Sequence, residues 1–278
     1  LPKQVRLPNG WSLTPAGQQL KLGDLPLNIA VSKSKRWDAV TNNGDRTQTI
    51  QLIDTRKEKI TDSVVVPTLW GGLVFSSDDK YLFASGGNKN RIEQFAIKGG
   101  KLSLVDSIVI AKPWPVRVSI TGIEVNDAEK RLYAVTQQDN SLYVIDLVSH
   151  KVLHKLPLGA EGYACVLGPR KRNLYVSVWG GQKILIFDTY KNAFSGSVAV
   201  GEHPNDICIN KEEKLLYVSN ADDNTVSVID IRKRKVIETL NAAIYGSTLV
   251  GSTTNSVALS DDGKLLFVAN ADNNCVTV

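Results

Sequence analysis

The chain has 278 residues, 42% of them hydrophobic and 22% charged, which excludes a disordered or collagen-like polypeptide. Lys and Arg (33) exceed Asp and Glu (28) for a formal net charge of +5, a surplus too mild to imply nucleic acid by itself. No apolar run is long enough for a membrane-crossing helix, and the three cysteines, Cys165, Cys208 and Cys275, lack the CxxC spacing of a zinc knuckle or the even count of a disulfide framework.

Taken in chain order, short strand signals repeat. Apolar triplets begin at Ile29, Leu73, Ile123, Cys165, Ile207 and Val257, at steps of 42 to 50 residues. Nine residues after each start comes a second strand signal: Asp38-Ala39-Val40, Leu82-Phe83-Ala84, Leu132-Tyr133-Ala134, Leu174-Tyr175-Val176, Leu216-Tyr217-Val218 and Leu266-Phe267-Val268. Polar turns such as Ser76-Ser77-Asp78-Asp79-Lys80 separate the two, and a third strand ends in Ile53-Asp54, Ile145-Asp146, Phe187-Asp188 or Ile229-Asp230. A fourth follows a basic turn, as in Lys235 to Leu240. Four antiparallel strands per repeat, without helical periodicity, predict an all-β β-propeller spanning 1–278, with five complete blades and a partial sixth. Gln18 to Gly23 reads as an outer strand without a blade of its own and is expected to close the ring on the last blade. The absence of methionine, even at position 1, and the incomplete last repeat are read as marks of a fragment.

Tyr217-Val218-Ser219-Asn220 and Phe267-Val268-Ala269-Asn270, each followed by Ala-Asp and an Asn-bearing turn, resemble the YVTN repeat of YncE-like seven-bladed propellers. The opening Leu7 to Gly17, with Thr41-Asn42-Asn43-Gly44 and Gln51-Leu52-Ile53-Asp54, resembles more specifically bacterial envelope proteins in which such a propeller precedes an alkaline-phosphatase-superfamily phosphoesterase domain. The resemblance implies seven blades, about one and a half more than this chain carries, a periplasmic, envelope or secreted location, and a downstream domain holding the metal ligands and nucleophile. This chain has only His150, His154 and His203, too few for that two-metal chemistry, so neither a cofactor nor a catalytic set is assigned to it.

Propeller topology sorts the turns onto two faces. First-to-second and third-to-fourth strand turns collect most of the basic residues, including Lys33, Arg36, Arg131, Lys171, Arg172 and the run Arg232 to Lys235; interleaved acids make a solvated polar face the plainer reading and a phosphate-tracking patch the alternative. The opposite face gathers Asn28, Trp70, Trp114, Tyr163, His203, Asn205 and Asn255 from blade crossings, and Asn42, Trp179, Asn220 and Asn270 from second-to-third turns. Amides and aromatic rings at a channel mouth suit a small molecule or glycan; Asn after the second strand also suits turn chemistry alone. With aromatics and basic turns on opposite faces, nucleic acid is argued against.

Two functions compete. One is a non-catalytic recognition or scaffolding module attached to a phosphoesterase domain. The other is a lactonase-like, metal-dependent hydrolase in the channel, for which Asp24, Glu124, Glu161 and Asp206 are the available carboxylates. His203 beside Glu202 or Asp206 is a further acid–base candidate, without a nucleophile at fixed spacing.

Overall fold

The computed structural model describes residues 5–6, 12–13, 18–243 and 252–278. A two-stranded hairpin, β1 (Val5–Arg6) and β2 (Ser12–Leu13), precedes six antiparallel sheets with strands in sequence order. Blade one is β3 (Pro26–Val31), β4 (Trp37–Asn42), β5 (Thr49–Asp54) and β6 (Lys59–Val65); blade two is β7 (Leu73–Phe75), β8 (Tyr81–Ser85), β9 (Arg91–Lys98) and β10 (Lys101–Val109). Blade three is β11 (Ile120–Asn126), β12 (Arg131–Thr136), β13 (Ser141–Asp146) and β14 (Val152–Pro157); blade four is β15 (Gly162–Leu167), β16 (Asn173–Val178), β17 (Lys183–Asp188) and β18 (Ala193–Ala199). Blade five is β19 (Pro204–Ile209), β20 (Leu215–Asn220), β21 (Thr225–Asp230) and β22 (Lys235–Asn241), and blade six has three strands, β23 (Thr254–Leu259), β24 (Leu266–Asn270) and β25 (Cys275–Thr277). The chain is a β-propeller of six blades. No helix among the described residues is long and apolar enough to cross a membrane.

Each blade alternates apolar residues onto both faces, so it must be sandwiched to be stable. The core is accordingly five separate clusters, one per blade-to-blade interface. The second residue of the "Leu-Tyr/Phe" signal wedges into the following interface: Phe83, Tyr133 and Tyr175 are buried, each worth about 1.5–3 kcal/mol on removal from water. The outward faces of the first and last blades carry the same residue types without a cover. Ile29 is 58% exposed and Val276 61%, whereas Val226, the equivalent of Val276 one blade earlier, is 0% exposed.

The YVTN-like positions have a structural cause. Asn42, Asn220 and Asn270 are buried at the ends of their second strands, and each amide nitrogen donates to side chains of the third strand, five and seven residues on for Asn220 and Asn270 and seven and nine on for Asn42. Asn220 Nδ2 reaches Thr225 Oγ1 and Ser227 Oγ, both at 2.9 Å; Asn270 Nδ2 reaches Thr277 Oγ1 at 2.9 Å; Asn42 Nδ2 reaches Thr49 Oγ1 and Gln51 Oε1. A Cβ on Gly201 would come within 2.7 Å of Asn220 Cγ, so the glycine preceding that blade is required by the amide behind it. The preceding Ser or Thr is a rivet. Ser177 Oγ accepts from Ala164 N and donates to Asn205 O, and Ser219 Oγ accepts from Asp206 N and donates to Asn255 O, the inner strand of the next blade in both cases. Ser85 Oγ likewise donates to Ile120 O at 2.7 Å.

The first-to-second strand turns are also uniform. Their fourth residues, Lys35, Asp79, Lys130, Lys171, Glu213 and Gly263, all have φ between 51° and 68° and all donate N–H to the residue three back. Only one of the six is glycine, although the left-handed conformation costs an L-residue about 1–2 kcal/mol. In blades one, three, four and five the third strand ends in an aspartate that caps the next turn: Asp188 Oδ1 accepts from Tyr190 N and Lys191 N, both at 3.0 Å.

One expectation is corrected. Gln18 to Gly23 forms no strand and does not complete the last sheet. Its end is tied to blade one instead, where Gly23 N–H donates to Gln51 Oε1 at 3.0 Å. Most of the Leu7 to Gly17 stretch that carries the fusion resemblance lies outside the described residues.

Asn220→Ala, which strands two buried hydroxyls, is expected to lower stability by about 1–3 kcal/mol in urea unfolding. Lys130→Gly, which relieves the left-handed strain, should be neutral or stabilising by up to about 1 kcal/mol. An unchanged midpoint for the first, or a clear loss for the second, would contradict this account.

Candidate ligand site

All six inner strands contribute to one central cavity of about 440 Å³. Strand register sorts its lining into tiers, one residue per blade. The tier nearest the mouth is Leu27, Gly71, Thr121, Tyr163, Asn205 and Asn255, and the tier below is Asn28, Gly72, Gly122, Ala164, Asp206 and Ser256. Blades two to four are small in the second tier, which opens the space; a Cβ on Gly122 would lie 2.8 Å from the Tyr163 carbonyl oxygen. Trp70, 42% exposed, and Trp179, at the start of a short 3₁₀ turn (Trp179–Gly181), stand at the rim.

Of the eleven residues placed on this face from sequence, six line this cavity: Asn28, Trp70, Tyr163, Trp179, Asn205 and Asn255. Asn42, Asn220 and Asn270 do not; they are the buried turn amides described above. His203 lies behind the rim. Its ring stacks on Trp179 with centroids 4.0 Å apart and planes at 19°, and its Nδ1 is 2.6 Å from Asp222 Oδ2. It therefore meets neither Glu202 nor Asp206 as an acid–base partner, because its φ of 49° at the blade crossing turns it toward the outer side of the rim. Trp114 is exposed with Arg117 over its ring and takes no part in the cavity.

The four carboxylates considered for a metal do not meet. Asp24 packs on Gly44 and Glu161 on Gly180, both away from the cavity lining. Among the described residues no three His, Cys, Asp or Glu side chains are grouped so as to hold an ion.

Glu124 and Asp206 do line the cavity, and both satisfy backbone N–H groups on the free edges of inner strands. Glu124 accepts from Val125 N (2.9 Å) and, across the interface, from Leu167 N (3.2 Å). Asp206 accepts from Ile207 N (2.8 Å), from Val257 N (3.2 Å) in the next blade, and from Ser256 Oγ. Both residues are half-buried among the inner strands, and this desolvation holds both pKa values above the ordinary carboxylate range despite the hydrogen bonds. Burial, with Glu124 nearby, also raises Cys165, and burial with Asp206 nearby pushes Cys208 up to about 12; all three cysteines are free thiols.

Asn205 is 5% exposed. Its Nδ2 donates to Asn255 Oδ1 at 2.7 Å, and its Oδ1 is buried with no partner. Thr121, Gly122, Gln137 and Ser256 also line the cavity and were not singled out from sequence; only their repeat positions could have pointed to them.

The opposite mouth is lined by Lys33, Lys171, Ser76 and Ser77, with Glu124 shared between the two ends. Elsewhere on that face several of the basic side chains are paired: Arg36 and Lys57 with Asp54, Arg131 with Asp146, Arg172 with Asp188, Lys233 with Asp230, and Lys35 with Asp261 across from blade one to blade six. Such exposed pairs add little stability, and they offset part of the charge of the face. Comparison with models of protein families and with curated proteins finds no match for this chain.

The sign of the acid linkage follows from the raised values. The folded protein holds the Glu124 and Asp206 protons more tightly than the unfolded chain, so their contribution favours the native state below the unfolded values of 4.5 and 3.8 and declines as pH rises through the folded values. Asp78, held down to about 2 by Ser76 and Lys80, runs the other way, its contribution being lost as pH falls. In carboxyl-carbon NMR the Glu124 signal should titrate above 4.5 and be missing in Glu124→Gln; a midpoint at or below that value would show a solvated carboxylate. Iodoacetamide at mildly alkaline pH should leave Cys165 and Cys208 unmodified until the protein is unfolded.

Proposed function

We propose that this chain is a non-catalytic propeller of the YVTN type that recognises a small molecule or glycan at the Asn/Trp mouth of its channel, as the recognition module of a secreted or envelope phosphoesterase. The observation that carries the reading is one cavity, shared by all six blades, rimmed by two indoles and lined by amides. Flat apolar faces for stacking with a few fixed polar groups are what an orienting binding site needs. The repeat residues around Asn220 and Asn270 support the YVTN assignment, and the opening segment supports the link to a phosphoesterase.

A hydrolase in the channel would need several carboxylates around one point. The separate positions of Asp24 and Glu161 favour recognition over that chemistry. A phosphate-tracking role for the basic face is disfavoured by its ion pairs.

Tryptophan fluorescence titration with neutral oligosaccharides and small organic cations tests the reading. Trp70→Ala or Trp179→Ala should weaken a bound compound by about 1–3 kcal/mol, while Arg234→Ala changes little and added salt has a weak effect. The reverse ranking with a steep salt dependence would move the site to the basic face. The purified chain should not hydrolyse a chromogenic phosphate ester; chelator-sensitive turnover belonging to this chain would overturn the non-catalytic assignment.

A further inference from the structure

The charge of the channel lining is one-sided. Among the described residues its main cavity is lined by two carboxylates, Glu124 and Asp206, and by no Lys, Arg or His, although the chain as a whole is basic. Several of the side-chain donors near the mouth are engaged: Asn28 Nδ2 with Gly71 O, Thr121 Oγ1 with Val135 O and Gly162 O, and Ser256 Oγ with Asp206. The Asn205 amide is oriented by its bond to Asn255, and its Oδ1 is buried without a donor. Beside it lie the Asp206 carboxylate and the Tyr163 ring, and at the rim Trp70 and Trp179.

An anion would meet the Asp206 carboxylate with no cation beside it to offset the repulsion. A neutral glycan stacks on the rings but draws no electrostatic attraction from the acids. A group that only donates, carries positive charge and stacks on aromatic faces fits every term: the unpaired Asn205 oxygen, the acids and the rings.

Resting on the reading of this cavity as a recognition site, we propose that it selects an organic cation, an ammonium or guanidinium group passing Trp70 and Trp179 to lie against Tyr163, Asn205 Oδ1 and Asp206. Lys33 and Lys171 then close the far mouth electrostatically, so that the cationic group enters from the Asn/Trp face and stops short of the opposite end.

The test uses the unaltered chain with five probes: methylguanidinium, tetramethylammonium, methylurea as the neutral planar match to the first, cellobiose, and methyl phosphate. Calorimetry and the indole NMR signals should show methylguanidinium binding at least about tenfold more tightly than methylurea, with affinity rising as pH climbs above the ordinary carboxylate range and the two acids lose their protons. Asp206→Asn should remove the preference. Because it also removes the brace between β19 and β23, the pH series on the unaltered protein and Trp70→Ala, expected to weaken methylguanidinium several-fold, stand as independent measurements. Equal binding of methylguanidinium and methylurea, a flat pH profile, or a preference for methyl phosphate would overturn the cation. Binding of cellobiose alone would overturn it while leaving the recognition site intact, and no response to any probe at tens of millimolar would sink both.

Discussion

A four-stranded sheet that is apolar on both faces cannot stand alone, and that single constraint organises this molecule. The core is a set of sandwiched interfaces, each built from one blade's trailing aromatic and the next blade's leading aliphatics. Stacking blades in this way turns the inner strands edge-on to a common axis. Each inner strand then has backbone groups with no strand partner, and these must be met by something. The rivets Ser85, Ser177 and Ser219 take up carbonyls, and Glu124 and Asp206 take up N–H groups. The polar chemistry of the channel thus begins as a consequence of packing.

The same requirement explains why the two ends of the channel differ. A carboxylate bridging neighbouring inner strands is a cheap way to satisfy two N–H groups, but it leaves negative charge in a poorly solvated place. Glu124, lower in the channel, has Lys171 and Lys33 at its end of the cavity, and Lys171 draws its pKa down against the effect of burial. Asp206, nearer the other mouth, has hydroxyl and amide neighbours and no cation. The uncompensated charge therefore lies on the side where the indoles are.

Most of the architecture could be read from the sequence because it is written six times. The fixed nine-residue offset between paired strands located each hairpin, and the observed registers, such as Ile207 opposite Val218, follow it. What occurs once was harder to read. Gln18 to Gly23 has alternating leucines, yet local pattern cannot say which edge a segment will reach, and Gln51 holds its end against blade one. The amides divide along the same line. Asn42, Asn220 and Asn270 recur at one repeat position with hydrogen-bonding side chains facing them on the third strand, a regularity that marks a fold requirement; Asn205, Asn255 and Asn28 occupy crossing positions where other blades carry Tyr, Thr or Gly. Recurrence across blades marked structure, and departure from it marked the cavity.

That division bears on how such a ring acquires a ligand. The positions that hold the blades together are the wedge aromatics, the Ser/Thr rivets, the second-strand Asn and the left-handed turn residues, and none of the buried turn amides reaches the cavity. The two lining tiers are separate positions, one residue per blade in each, and they pack against few neighbours beyond the channel itself. Substituting Tyr163 or Asn255 changes what the cavity presents without touching a rivet or a wedge. Asp206, like Asn28, Thr121 and Glu124, is different, because it both braces one blade to the next, here β19 to β23, and lines the cavity. A ligand that gathers at Asp206 is therefore coupled to the interface between blades five and six, and its binding should be felt in the stability of that interface more than at any other.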